Sequence, residues 1–250
     1  MEKCRLNKFN RLLLGSMAVI ILFLVQVFAG KVGRAVADLF SYKRIDSYNL
    51  FAGVSVHHIV QMLIVLAVIA VLGKLLKVDF GFKVGDKKTG MKYFLGFTAV
   101  FLIVALGCHI LMSVYNQLPV YDFPLDKRNV IGTLGFQLFL SGPSEEILFR
   151  ALPITVLVYI LGQSITLKGG ITLEAVLASI LFSIAHINWS LFPLTVEANY
   201  FQLGYAFVLG IIQGVAYQKS RSILYPMLMH STSNVLMVGT GYLFAIGGNL

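Results

Sequence analysis

Stretches of roughly twenty residues with almost no charge recur along this chain, and they dictate the solvent it folds in. The clearest occupy residues 12–30, 51–72 and 93–115. A helix needs about 20 apolar residues to cross the hydrocarbon of a bilayer. Further apolar runs occupy 130–161, 173–186, 201–217 and 223–246. The expectation is an all-α, polytopic transmembrane helical bundle of about seven to eight spans. Composition supports it: 58% of the 250 residues are hydrophobic and only 12% charged. A soluble domain carries roughly 25% charged and about 45–50% apolar residues, so one soluble core could not bury this much apolar surface.

The formal charge of +9 and isoelectric point near 9.6 do not point to nucleic acid. The Lys and Arg residues sit at the ends of apolar runs, where membrane proteins place them near the cytoplasmic lipid surface. Lys3, Arg5, Lys8 and Arg11 precede the first run, and six lysines between Lys74 and Lys92 follow the second. With Lys168, Lys219 and Arg221 these fall on one side of a seven-span arrangement. Lys31, Arg34, Lys43, Arg44, Lys127 and Arg128 fall on the other. The first side holds roughly twice as many, which predicts a cytoplasmic N-terminus in a protein of the cell (plasma) membrane. Residues 12–30 exceed a typical signal-peptide core, and Lys31 and Arg34 separate them from the small-residue site Ala35-Val36-Ala37, so an uncleaved first span is expected. Cys4 and Cys108 define neither a disulfide framework nor a CxxC metal site.

Ionisable groups at membrane depth are costly unless paired or hydrated, and each is a candidate for function. Here they are Glu145, Glu146, Arg150, His186 and His230, joined by the amide of Asn234. Adjacent helical residues diverge by about 100°, so Glu145 and Glu146 point different ways. Glu146 and Arg150 are four apart and share a face, acid before base. Pairing them leaves Glu145, in the first turn after Pro143, free to act as a general base. Phe182 and His186 are also four apart, as are His230 and Asn234. An imidazole and an amide on one face can both donate hydrogen bonds to a developing oxyanion. Glu145, His186, His230 and Asn234 fall on three separate predicted spans, and together they suit peptide hydrolysis by activated water. Glu145, His186 and His230 also form a possible zinc ligand set, so the requirement is either no cofactor or a divalent metal such as Zn. His57, His58 and His109 belong to no motif and are read as structural or interfacial.

Glu145-Glu146-x3-Arg150, Phe182-x3-His186 and His230-x3-Asn234, in that order, resemble the three motifs of the CPBP (Abi) family, which includes the CAAX prenyl proteases and bacteriocin-processing enzymes. Gly210, Gly214, Tyr217, Ser222-Ile223 and Pro226 resemble the approach to its third motif. The likeness covers about residues 130–240. It implies two parts, N-terminal transmembrane helices with a basic loop over 1–125 and a catalytic helical core over 126–250. It further implies an intramembrane endopeptidase in which Glu145 activates water, His186 positions it or shares its proton, and His230 and Asn234 stabilise the oxyanion. Glu146, Arg150 and Phe182 would support them. The expected partners are the lipid bilayer and a membrane-associated or lipidated peptide. The competing readings are a non-catalytic scaffold or immunity protein that keeps the fold, and a transporter, which the lack of internal repeats disfavours.

Overall fold

In the computed structural model, which describes residues 8–191 and 193–247, the chain is a bundle of antiparallel helices. Lys3, Cys4 and Arg5 lie outside the described residues. Three long helices open it: α1 (Lys8–Ala37), α2 (Ala52–Leu76) and α3 (Lys87–Val114). The chain is then helical without a break through α4 (Lys127–Phe136), α5 (Gly142–Glu146) and α6 (Leu152–Leu161). π-helical turns at Gln137–Ser141 and Ile147–Ala151 join these three. α7 (Leu173–Ile184), α8 (Tyr200–Ser220) and α9 (Leu224–Gly247) complete the bundle.

The two π turns have a local cause. Pro143 and Pro153 each sit two residues beyond one of them. A proline inside a helix lacks an N–H and its ring collides with the carbonyl four residues back. Widening the preceding turn relieves both defects without breaking the helix. The long apolar run at 130–161 is thus one interrupted helix, and its interruptions frame the segment that carries Glu145 and Glu146.

Side-chain caps start most helices. Asp86 accepts from Thr89 N at 3.0 Å, Asp126 from Asn129 N at 2.9 Å and Asn199 from Gln202 N at 3.1 Å. The buried carboxylate of Asp46 takes the N–H groups of Leu50, Phe51 and Ala52 at the head of α2, at 2.7–2.8 Å. Each satisfies donors that a helix start leaves without an intrahelical partner.

The expectation of seven to eight spans is corrected. Among the described residues, four helices are long and apolar enough to cross a membrane: Leu13–Ala37, Ala52–Leu76, Lys87–Val114 and Tyr200–Ser220. α7 has only 12 residues. The α4–α6 run carries Glu145, Glu146 and Arg150, and α9 carries the polar series from His230 to Asn234. The physical reason is length and polarity: these helices are short or carry ionisable and polar side chains, which the bundle packs inside. Ile147 to Ile154 are buried without exception, whereas Ile20, Leu24 and Phe28 of α1 are exposed, as a lipid-facing stripe requires. A hairpin of two short strands, β1 (Asn188–Leu191) and β2 (Leu194–Glu197), follows α7. It is a small addition to an otherwise all-α fold, and nothing in the apolar periodicity announces it.

The ends of the bundle differ in charge. Arg11 Nη1 donates to Leu161 O at 3.4 Å, Ile223 N–H to Gly81 O at 2.8 Å and Asp86 N–H to Ser220 O at 2.7 Å. These contacts gather the start of α1, the α2–α3 loop, the end of α6 and the α8–α9 turn at one end. Lys74, Lys77, Lys83, Lys87, Lys88, Lys219 and Arg221 therefore lie at that same end.

Candidate active site

The site forms where α5 and the π turn after it meet α2, α7 and α9. Glu146 and Arg150 have no exposed surface. Arg150 Nε stands 3.3 Å from Glu146 Oε2, an Arg150 Nη2 N–H donates to Gln213 Oε1 of α8 at 2.5 Å, and the guanidinium lies 4.2 Å from the Phe182 ring centroid. The other Glu146 oxygen, Oε1, accepts from His230 Nδ1 at 2.7 Å. The carboxylate thus ties its own helix to α9 directly and to α8 through Arg150, and an unpaired charge at this depth would be strongly destabilising.

Glu145 points elsewhere, as adjacency on a helix demands. Its Oε2 lies 3.7 Å from His230 Nε2 and its Oε1 lies 3.9 Å from His58 Nε2. Ser141 Oγ donates to Glu145 Oε1 at 3.4 Å, and Asn234 Nδ2 donates to Ser141 Oγ at 3.0 Å. Asn234 therefore reaches the carboxylate through a serine hydroxyl. Gly142 lets α5 and α9 approach this closely: a Cβ there would stand 2.8 Å from Ser231 N and 3.0 Å from Met227 O.

A cavity of about 600 Å³ leads to Glu145. Its walls include Gln26, Lys31 and Arg34 of α1, His57 and His58 of α2, Phe149, Phe182 and His186, with Trp189 of the hairpin. His230 and Asn234 are not among the wall residues; they stand behind Glu145 on α9. His186 Nδ1 donates to Phe182 O at 2.9 Å, and its ring meets the Phe182 ring edge-on with centroids 4.8 Å apart.

The sequence-expected residues thus assemble on α5 and the π turn after it, on α7 and the turn just beyond its end, and on α9, but not as one contact cluster. Glu145, Glu146, Arg150 and His230 are in direct contact. Phe182 holds the guanidinium, and His186 faces the cavity without a hydrogen bond or ion pair to Glu145 among the described residues. The trio Glu145, His186 and His230 does not meet as metal ligands: among the described residues no group of three or more His, Cys, Asp or Glu side chains is placed to hold a metal ion.

Two partners carry no sequence signal. Gln213, 63 residues from Arg150, accepts a hydrogen bond from the guanidinium. His58, read as structural or interfacial, lies against Glu145 and hydrogen-bonds Ser144 at 2.6 Å across a separation of 86 residues. No spacing rule links residues so distant in the chain. His109 is elsewhere, buried and bonded to Ala105 O at 2.8 Å and Thr240 Oγ1 at 3.1 Å.

Residues 127–236, from the first turn of α4 to the middle of α9, match the family described as type II CAAX prenyl endopeptidase, Rce1-like. Comparison with curated proteins and with solved structures returned no match. The matched segment holds Glu145, Glu146, Arg150, His186, His230 and Asn234, and α1, α2 and α3 precede it. Residues 127–236 thus form an Rce1-like type II CAAX prenyl endopeptidase domain, the domain of a family of proteases.

Proposed function

We propose that the protein is an intramembrane endopeptidase that hydrolyses a peptide bond in a membrane-associated or lipidated substrate, with Glu145 as the base that activates water. The observation that carries this reading is a carboxylate at the inner end of a cavity within the bundle, with imidazole nitrogens 3.7 and 3.9 Å from its two oxygens. Water loses a proton to Glu145 as its oxygen bonds to the scissile carbonyl carbon, and the carbonyl becomes an oxyanion. Glu145 then returns the proton to the departing amine as the C–N bond breaks. His186, in the cavity wall, orients the water or the amine. His230 and Asn234 stabilise charge, acting on the site through Glu145 and Ser141. Glu146, Arg150 and Phe182 hold His230 and the α5 segment in place.

In the same reading residues 126–250 supply the reacting groups, and the helices of 1–125 wall the cavity and admit the substrate. The N-terminus is cytoplasmic and the membrane is the plasma membrane, on the strength of the basic end of the bundle.

The test compares peptide termini in membranes of host cells that make the wild type or Glu145→Gln at equal levels. New ends present only with the wild type are expected, and their sequences would name the substrate. Identical termini with both proteins folded would favour a scaffold that keeps the fold without catalysis.

A further inference from the structure

We infer that His58, on α2 and outside the matched segment, is a water-positioning residue of the active site. The inference rests on the protease reading above and adds a group to it.

The neighbours of His58 fix its tautomer. Ser144 Oγ donates its only proton to Ser141 O at 3.1 Å. The 2.6 Å contact with His58 Nδ1 must then run from the imidazole N–H to the serine oxygen. That leaves His58 Nε2 with a lone pair, and it is this nitrogen that faces Glu145 Oε1. His230 likewise gives its Nδ1 N–H to Glu146 and turns Nε2 toward Glu145. A ring nitrogen's role is fixed by what the other one binds.

The gap between the two groups has the size of a water. Two acceptors 3.9 Å apart cannot hydrogen-bond each other. One water, at an ordinary separation of about 2.8 Å from each, donates to both. Such a water has one O–H on the base that deprotonates it and the other on an imidazole that fixes its orientation.

Access distinguishes His58 from His230. A comparable gap exists on the His230 side, at 3.7 Å. Only His58, of these two histidines, lines the cavity. A nucleophile held between His58 and Glu145 therefore faces an incoming carbonyl, whereas one held at His230 would be behind the carboxylate. Neighbouring rings hold the His58 imidazole in this orientation. Phe136 meets it edge-on with centroids 5.1 Å apart, and His57 does so at 5.3 Å. An approach of about 3 Å in a fixed orientation is what turns a bound water into a competent nucleophile.

The test separates the two ring nitrogens. His58→Asn keeps an N–H near the Nδ1 position to bond Ser144 and removes Nε2. His58→Gln places an amide near the Nε2 position. Each is assayed in nanodiscs beside the wild type and Glu145→Gln, on the peptide whose cleavage in host membranes depends on Glu145. His58→Asn is expected to lower kcat by about 10²–10³-fold with KM within about twofold, and His58→Gln to recover at least tenfold of that loss. Wild-type kcat in His58→Asn, with Glu145→Gln inactive, would overturn the role of His58 and leave the protease reading standing. Equal loss in the two folded His58 variants would also overturn it, since an amide at the Nε2 position would then restore nothing. Activity in Glu145→Gln, or no peptide cleaved by the wild type, would sink both proposals.

Discussion

Glu145 and Glu146 are chemically identical neighbours placed in opposite circumstances. Glu146 is sealed against Arg150 and His230, whereas Glu145 keeps 18% of its side chain exposed and borders the cavity. Their substitutions should therefore fail differently. Glu145→Gln is nearly isosteric and should abolish cleavage while the thermal unfolding midpoint in detergent stays at the wild-type value. Arg150→Met leaves Glu146 charged and buried beside its missing partner, and should destabilise by about 3–5 kcal/mol. A wild-type midpoint for Arg150→Met would contradict the buried-pair argument. Arg150→Lys should not restore it, since an ammonium cannot bond Glu146 and Gln213 and also stack on Phe182. The spacing of 146 and 150 made the ion pair legible in the sequence, and the divergence of adjacent residues separated the two glutamates. The identity of the partners beyond the helix was not legible, because Gln213 and His58 arrive from other elements.

The elements meet at glycines and start at caps. Gly142 is where α5 touches α9, and a methyl group there would press on Ser231 N and Met227 O, backbone atoms that cannot swing aside. Gly142→Ala should cost about 1–3 kcal/mol and lower activity, because the displaced α9 carries His230 and Asn234; full activity would show that α9 is free to shift. α7 and α8 meet in the same manner at Gly210 and Gly214, over Ser179 and Ala175. Asp86, at the head of α3, has its carboxyl held below the usual range, chiefly by the Thr89 N–H and then by the Thr89 hydroxyl. A carboxyl lowered in the folded chain adds stability above its unfolded pKa, about 3.9, and that contribution is lost as pH falls through the folded value. Hydrogen-exchange protection of the first turn of α3 should fall on acidification through that window. Asp86→Asn, which caps without titrating, should remove the dependence; an unchanged pH response would assign it to another group.

Across the whole molecule, the cavity and the basic loops lie at opposite ends. The cavity is walled by the last turns of α1, the first turns of α2 and the hairpin, whereas the lysines collect at the other end of those helices. If the basic end is cytoplasmic, as proposed above, the mouth would open on the outer face and the proposed substrate would be presented from that side. In a chain with Cys4→Ser and Cys108→Ala, a cysteine at Trp189 should react with a membrane-impermeant maleimide in intact cells, and one at Lys83 should react only after lysis. The reverse pattern would invert the orientation and direct the search to cytoplasmic substrates.

What the sequence by itself determined is whatever depends on neighbours along the chain. The apolar runs settled the solvent and the helical class. The four-residue spacings of 146 and 150, 182 and 186, and 230 and 234 placed pairs on shared faces, and Pro143 marked where the long run is interrupted. The tertiary structure decided what depends on distance in space. It set where each helix begins and ends, so that among the described residues four qualify as spans by length and composition where apolar runs alone suggested seven to eight. It brought His58 against Glu145 and bonded His186 to the Phe182 carbonyl. The reason is the same in each case: periodicity reports the face a residue occupies, and only packing reports what that face touches.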